Sequence, residues 1–581
     1  LNPRFDSLDP KRGPRSFHFS GPIDTIVARR VDEVVPALAR VEAAVGEGRH
    51  AAGFIAYEAA PAFDSALVVR EPQEDLPLLY FGIYRTREEA AALAGLPSAG
   101  GSRGLGPLTP SLDAGEYQRN VEEVLELIGA GDTYQVNFTF RLRGSFEGDP
   151  LALYRDLCGA QRSAYCAFLD VGSRLLISAS PELFFHRRGE TAELRPMKGT
   201  RRRGRWSEED ASLAAELNAS AKDRAENLMI VDLLRNDLGR VAEFGSVRVP
   251  SLFDIERYPT VHQLTSTVVG ELRDNVGLPE LFGALFPSGS VTGAPKIRTS
   301  QIIRELEDSP RGAYTGAIGF VSPDEAIFSV AIRTLVLDPR TGEVEVGVGS
   351  GITADSIAAM EYAECLEKGS FLRRLPQNFE LLESLRLEVP GGYPLLAEHL
   401  ARLAASAEYF DFAHNPEEVR AALARATVAL APGLYKARLL VARHGTPRVE
   451  TEPIDMDSPS VRLKLAASPV AESDPFLFHK TTRRETYQRA LSERPGCDDV
   501  ILFNQRGEIT ETTTSNLVLE IDGILLTPPI ESGILPGVFR GGLLEEGRIE
   551  VRALGISDLQ RASKIHLVNS VRGWREGIMV E

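Results

Sequence analysis

Strand-like runs alternate with amphipathic helical runs to the end of the chain, with no fixed-period repeat and no low-complexity tract, which predicts an α+β enzyme. In EYQRNVEEVLELIGAGD, Val121, Val124, Leu125 and Ile128 share one helical face, and a Gly-rich stop precedes the strand-like TYQVNFTFRLRG. A second helical block opens at Ser207 with acids behind it and closes at Gly239. In VTGAPKIRTSQIIRELED, Pro295 stands near a helix start, where its missing N–H costs nothing. The helix in ADSIAAMEYAECLEKGSFLRRL ends at about Leu375, and Pro376-Gln377-Asn378 interrupts it before the β-type run FELLESLRLE. That interruption sets the expected domains at 1–375 and 376–581.

At roughly 100–200 residues per domain, 581 residues imply two to four domains, and 43% hydrophobic residues suffice for real cores. Lys+Arg 65 against Asp+Glu 82 gives a formal charge of −17, which repels phosphate backbones and anionic lipid and argues against nucleic acid and membrane partners. No stretch reaches the ~18 apolar residues of a bilayer span, and LNPRFDSLDPKRG lacks an apolar signal-peptide core. Cysteines at 158, 166, 365 and 497 show neither a CxxC spacing nor a disulfide framework, which fits a reducing, cytoplasmic setting.

Five residues stand out chemically: Glu182 in SASPELFF, Lys198 in RPMKGT, Glu226 in DRAENLM, and Glu361 and Glu364 in MEYAECLEK. Glu361 and Glu364 lie three apart on a predicted helix and project to one side, which suits oxygen ligation of a hard cation; a solvated acidic face has the same spacing. Glu226 precedes the apolar Leu228, Met229, Ile230 and Val231, where an acid is held by a base or by a metal. Lys198, between Pro196 and Gly199, ends a strand-like run, so a turn could aim its amine into a cleft or leave it a surface charge.

The segments GDTYQVN, SPELFF, RPMKGTRRRG, KDRAENLMIVDLLRNDLGRV, FPSGSVTGAPK, YTGAIGF, AIRT and GSGITADS occur in the order and spacing of the chorismate-utilising enzymes. The stretch from about residue 5 to 375 closely resembles aminodeoxychorismate synthase component I, a relative of anthranilate, isochorismate and salicylate synthases. The resemblance implies a layered α/β fold using Mg2+ and chorismate, with Glu226, Glu361 and Glu364 at the metal. It also implies that Arg333, Tyr314 and the backbone at Gly349 and Gly351 hold substrate carboxylate, and that Glu182 is the general acid for the departing ring hydroxyl. Lys198 matches the lysine typical of aminodeoxychorismate synthase, a nucleophile that adds at C2 and expels the C4 hydroxyl before ammonia attacks C4. Anthranilate synthases usually carry Ala there. The family's catalytic His aligns with Gln263, with His262 one place earlier, so neither is assigned an acid/base role. The residues two before the four cysteines are Asp156, Ala164, Ala363 and Pro495, none of them the Gly of a nucleophile elbow, so a separate glutamine amidotransferase subunit or free ammonia is implied.

In the remainder, LLAEHLARLAASAEYF, PFLFHKTTRRETY, NQRGEITETTTSNLVL, LLTPPIESGILPGVFRGG and LVNSVRGW resemble the fold-type IV pyridoxal phosphate enzymes, which include branched-chain and D-amino acid aminotransferases and aminodeoxychorismate lyase. Singly these are ordinary: Leu396, Leu400 and Leu403 read as a helical core stripe and Thr512 to Ser515 as strand material. On the resemblance, Lys480 carries pyridoxal phosphate, Glu511 pairs with its pyridine nitrogen, and Arg402 and the backbone of Val538 and Phe539 bind its phosphate. Asn516 and Asn569 are positioning or turn residues, and a homodimer through this smaller α/β domain is an expected assembly. Together the halves imply amination of chorismate to 4-amino-4-deoxychorismate and elimination of pyruvate to 4-aminobenzoate. Alternatives are an anthranilate or isochorismate synthase fused to an aminotransferase, or a synthase with a non-catalytic second domain.

Overall fold

The computed structural model describes residues 2–8, 15–90, 104–373, 378–428, 430–456 and 460–580. They form two compact units, Leu1–Arg202 with Ala214–Gln377, and Arg203–Leu213 with Asn378–Glu581. The expected boundary between 375 and 376, like the helix end at Leu375, lies outside the described residues. The excursion of Arg203–Leu213 into the second unit has no counterpart in the sequence reading.

The first unit is built on two ten-stranded sheets whose pairings are antiparallel. One apolar core lies where the sheets share residues: Phe5, Phe17, Ala167, Leu169 and Leu176 meet Phe54, Ile318 and Phe320. Along YCAFLD the side chains alternate, Ala167 and Leu169 entering that core while Cys166 and Phe168 enter a second one under helices. A strand buried on both faces reads as a continuous apolar run, as this one does.

Strand β1 (Gln135–Ser145) and strand β2 (Met197–Arg202) frame the candidate chemistry. The block expected as one helix from Ser207 to Gly239 is instead α1 (Ser207–Ala219) and α2 (Ala221–Gly239), because Ser220 is extended and its side chain accepts from Asp223 N–H as the cap of α2. Strand β3 (Val261–Glu271) pairs with β2, and α3 (Lys296–Leu306) starts directly after Pro295 at its N-cap. Strand β4 (Glu343–Ile352) lies antiparallel on β1 from Glu343 opposite Ser145 to Ile352 opposite Val136, and α4 (Ala358–Gly369) follows it.

The second unit holds a three-stranded and an eight-stranded sheet. Strand β5 (Leu381–Val389) presents Leu381, Leu385 and Leu387 to Leu400 and Leu403 of α5 (Leu396–Phe410), the predicted stripe. Strand β6 (Ile509–Thr512) turns through Thr513–Ser515 into β7 (Asn516–Ile521), and α6 (Val538–Glu545) begins after Gly537. Among the described residues no helix is long and apolar enough to cross a membrane, and the four cysteines are unpaired.

Candidate functional sites

Within the first unit, a cavity of about 360 Å³ is lined by Glu182, Lys198, Glu226, Tyr314, Arg333, Gly349, Gly351, Glu361 and Glu364, so every residue predicted for this half borders one space. Lys198 is not on a turn after a strand. It lies inside β2 where the pairing to β3 slips between Met197 and Thr200, and Gly199 at φ +95° makes that bulge possible. A side chain at Gly351 would collide with Lys198 Nζ, so the absent Cβ makes room for the amine. Desolvation holds that amine below the usual lysine range and Lys368 adds to the depression, against the pull of Glu226, Glu182 and Glu364.

Glu182 is 4% exposed, and burial pushes its carboxyl up to about 7 against the opposing Ser290 hydroxyl, which donates to Oε1 at 2.5 Å. Arg333 adopts a left-handed backbone (φ 49°), and its Nη1 donates to Gln161 Oε1 at 2.9 Å. The buried Tyr314 phenol is raised to about 12 by desolvation, its ring lying where a Cβ on Gly347 would stand. Lys368 donates to Glu364 Oε1 at 2.8 Å and to the Gly349 carbonyl at 3.0 Å.

Glu226, Glu361 and Glu364 reach the same cavity from α2 and α4. Glu361 accepts from Ser356 Oγ at 2.8 Å, and Lys368 holds Glu364 below the usual carboxylate range in spite of burial. Burial raises Glu226, and the like charges of Asp223 and Glu361 add to that rise. Among the described residues no three such groups converge into a metal centre. The donor chemistry nevertheless fits Mg2+: three oxygen-bearing carboxylates, one of them held above the usual carboxylate range by burial and by its acidic neighbours, are what a hard divalent cation would relieve. On β3, Gln263 lines the cavity and accepts from Thr200 Oγ1 at 3.0 Å, whereas His262, one residue earlier, is buried.

In the second unit, Lys480 has its amine depressed to about 8 by desolvation and by the Arg402 cation. Glu511, raised to about 7 by burial, accepts from Tyr487 Oη at 2.8 Å, Asn516 Nδ2 at 3.0 Å and Leu535 N–H at 3.2 Å. Arg402 is not a free fork. Its Nε and Nη2 donate to Glu383 at 2.9 and 2.6 Å and its Nη1 to the Pro536 carbonyl at 3.1 Å, while His399 Nδ1 lies 2.7 Å from the same carboxylate. Gly537 offers α6 no side-chain cap, so the first-turn N–H groups at Val538 and Phe539 form an anion-favouring terminus. A desolvated lysine, a buried acid and a helix N-terminus fit pyridoxal phosphate as a donor set. Asn569 ends a strand, its Oδ1 accepting from Val571 and Arg572 N–H at 3.1 and 2.9 Å and its Nδ2 donating to Ser515 Oγ at 2.9 Å.

Sequence reasoning missed several partners. Asn227 donates to the carbonyls of Lys198 at 3.3 Å and Leu264 at 3.2 Å and accepts from Ser266 Oγ at 2.6 Å, bracing the Lys198 bulge. Ser290, Lys368, Glu383 and Tyr487 were equally unsignalled, except that Lys368 follows Glu364 by one helical turn, the spacing of an ion pair.

A family model described as chorismate binding enzyme matches residues 8–374, and one described as amino-transferase class IV matches residues 380–577. The chain is 46% identical over 254 residues to the aminodeoxychorismate synthase of Streptomyces pristinaespiralis, covering 43% of this chain and 35% of that one. It is 37% identical over 341 residues to anthranilate synthase component 1 of Methanothermobacter marburgensis, covering 55% of this chain and 73% of that one. The crystal structure of anthranilate synthase component I from Streptococcus pneumoniae superposes with a TM-score of 0.54 at 28% identity, covering 62% of this chain and 92% of that one. The chain thus spans about a third of the Streptomyces synthase.

Proposed function

The chain belongs to the chorismate binding enzyme family, and from that premise we propose that its first unit aminates chorismate at C4 and its second converts the product to 4-aminobenzoate and pyruvate. The observation that carries the first half is the single cavity bordered by Lys198, Glu182, Arg333, Tyr314 and the three glutamates. Arg333 and Tyr314 bind a substrate carboxylate, the guanidinium offering paired N–H donors. Bound Mg2+ would supply charge neutralisation between a second carboxylate and Glu226, Glu361 and Glu364.

The Lys198 amine, in its unprotonated form, forms a bond at C2, the two ring double bonds each shift by one position, and the C4–O bond breaks. Glu182, with its carboxyl near 7, still holds a proton at neutral pH and delivers it to the departing hydroxyl, which leaves as water. Ammonia then bonds to C4 as the shift reverses and Lys198 leaves. Placement of an amine in the cavity favours this route over direct attack at C2, the anthranilate outcome. Ammonia comes from a separate glutaminase or from solution.

For the second half, pyridoxal phosphate held by Lys480, Glu511, Arg402 and the α6 N-terminus would supply an electron sink for the C4–H bond of the aminated intermediate. Glu511, held in place by bonds from Tyr487 and Asn516 to its carboxylate, would pair with the ring nitrogen and keep that nitrogen protonated. Lys480 Nζ, neutral above about pH 8, takes the C4 proton. The test is incubation of the full chain with chorismate, Mg2+, ammonium and pyridoxal phosphate. 4-Aminobenzoate and pyruvate are expected; anthranilate or isochorismate as the product refutes the reading.

A further inference from the structure

Arg203–Leu213 lies within the residues matched to the chorismate binding family, yet its contacts place it in the second unit. Arg203 forks onto Asp210 at 2.7 and 2.8 Å, donates to the Tyr409 carbonyl at 3.2 Å and lies 4.5 Å over the Tyr409 ring. Tyr409 returns a hydroxyl bond to the Gly204 carbonyl at 2.6 Å and stacks on His479 at 4.2 Å. Trp206 stacks on Phe478 at 5.1 Å, Arg205 covers both rings at 4.7 and 5.3 Å, and its Nη1 reaches the Glu472 carbonyl at 3.3 Å.

Phe478 and His479 are the two residues before Lys480, and they are 1% and 4% exposed. The Lys480 side chain is long and flexible, so where its amine points depends on how firmly its own backbone is held. The strap holds the two side chains before Lys480 by ring stacking, Trp206 on Phe478 directly and Arg203 on His479 through Tyr409, while Ser406 Oγ sits 3.0 Å from His479 Nδ1. Packing that removes alternative placements of a reactive group is the physical basis of preorganisation.

We propose that Trp206 and Arg203 are positioning residues of the pyridoxal phosphate site, acting through Phe478 and His479 to fix the backbone that carries Lys480. The inference rests on the reading of Lys480 as the cofactor-bearing lysine. It makes a piece of the first sequence family an operating part of the second site.

The test titrates pyridoxal phosphate into the cofactor-free full chain, follows the bound-cofactor absorbance, and maps the borohydride-fixed adduct by peptide mass. Melting of the cofactor-free protein is recorded in parallel. Trp206→Ala is expected to weaken the apparent Kd about tenfold, the scale of one aromatic stack, and Trp206→Phe to restore it. Trp206→Leu keeps an apolar side chain should the alanine variant not fold, and about threefold weakening is expected. A lower melting temperature with unchanged Kd in Trp206→Ala or Trp206→Leu overturns the inference, since packing alone would then be the role. A wild-type adduct on a residue other than Lys480 defeats the underlying reading instead.

Discussion

Replacing Ser290 by Ala removes the hydroxyl that donates to Glu182 Oε1 at 2.5 Å. Desolvation raises that carboxyl to about 7, and the serine bond works in the opposite direction by favouring the ionised form. A hydrogen bond to a charged acceptor is worth about 1.5–3 kcal/mol, and about 1.4 kcal/mol corresponds to one pH unit. Because the cavity admits water that can replace part of the lost bond, the expected net rise is about one pH unit. The reaction needs Glu182 protonated, so turnover falls as pH rises through its pKa, and Ser290→Ala moves the alkaline limb of kcat upward. The assay is amination by the full chain at saturating chorismate and Mg2+, with free ammonia held constant across pH so that only the enzyme titrates. Glu182→Gln is the control, with kcat lowered about 10²–10⁴-fold. An alkaline limb that stays in place or moves down in Ser290→Ala refutes the assignment of that limb to Glu182.

Glu226→Gln or Glu364→Gln should cost at least about a hundredfold in Mg2+-dependent amination while supplied aminodeoxychorismate is still converted, which product chromatography checks. Lys198→Ala should lose C4 amination by about 10²-fold or more, with any residual product being anthranilate; near wild-type aminodeoxychorismate formation would exclude covalent attack by this amine. Lys480→Ala should let aminodeoxychorismate accumulate at an undiminished first-step rate, and a separately added lyase should restore 4-aminobenzoate. Folding stability from Glu182 and Glu511, both raised to about 7, is present below their unfolded values near 4.5 and lost as pH rises through 7; Glu511→Gln should flatten that part of a melting-temperature profile.

Much of both candidate sites is legible because their residues sit in contiguous motifs, and the family resemblance those motifs carry singles out Lys198, Glu226 and Lys480. What failed was local geometry decided by tertiary partners. Ser220 reads as helix interior in a run rich in helix formers, and only its hydroxyl bond to Asp223 N–H reveals a cap. Lys198 reads as a turn residue because Pro196 and Gly199 flank it, whereas pairing with β3 turns the same glycine into a bulge. Arg402 reads as a phosphate-binding residue, since Glu383, nineteen positions earlier on β5, leaves no trace in the helix pattern. Arg203–Leu213 reads as the end of RPMKGTRRRG and the start of a helical block, and nothing in it signals its aromatic partner Phe478, which lies far along the sequence.

The bracing by Asn227 bears on how such enzymes can be recombined. Its amide fastens Lys198 and Leu264, and Glu226 is its neighbour on α2, so the amine side and the acid side of the cavity are mounted on one fitting. A chimera that imports only the RPMKGT stretch from another family member would leave its amine aimed by a helix selected for a different occupant. Grafts that carry β2, α2 and β3 together preserve the alignment, and the interchangeable module of this scaffold is therefore the three-element block rather than the single lysine.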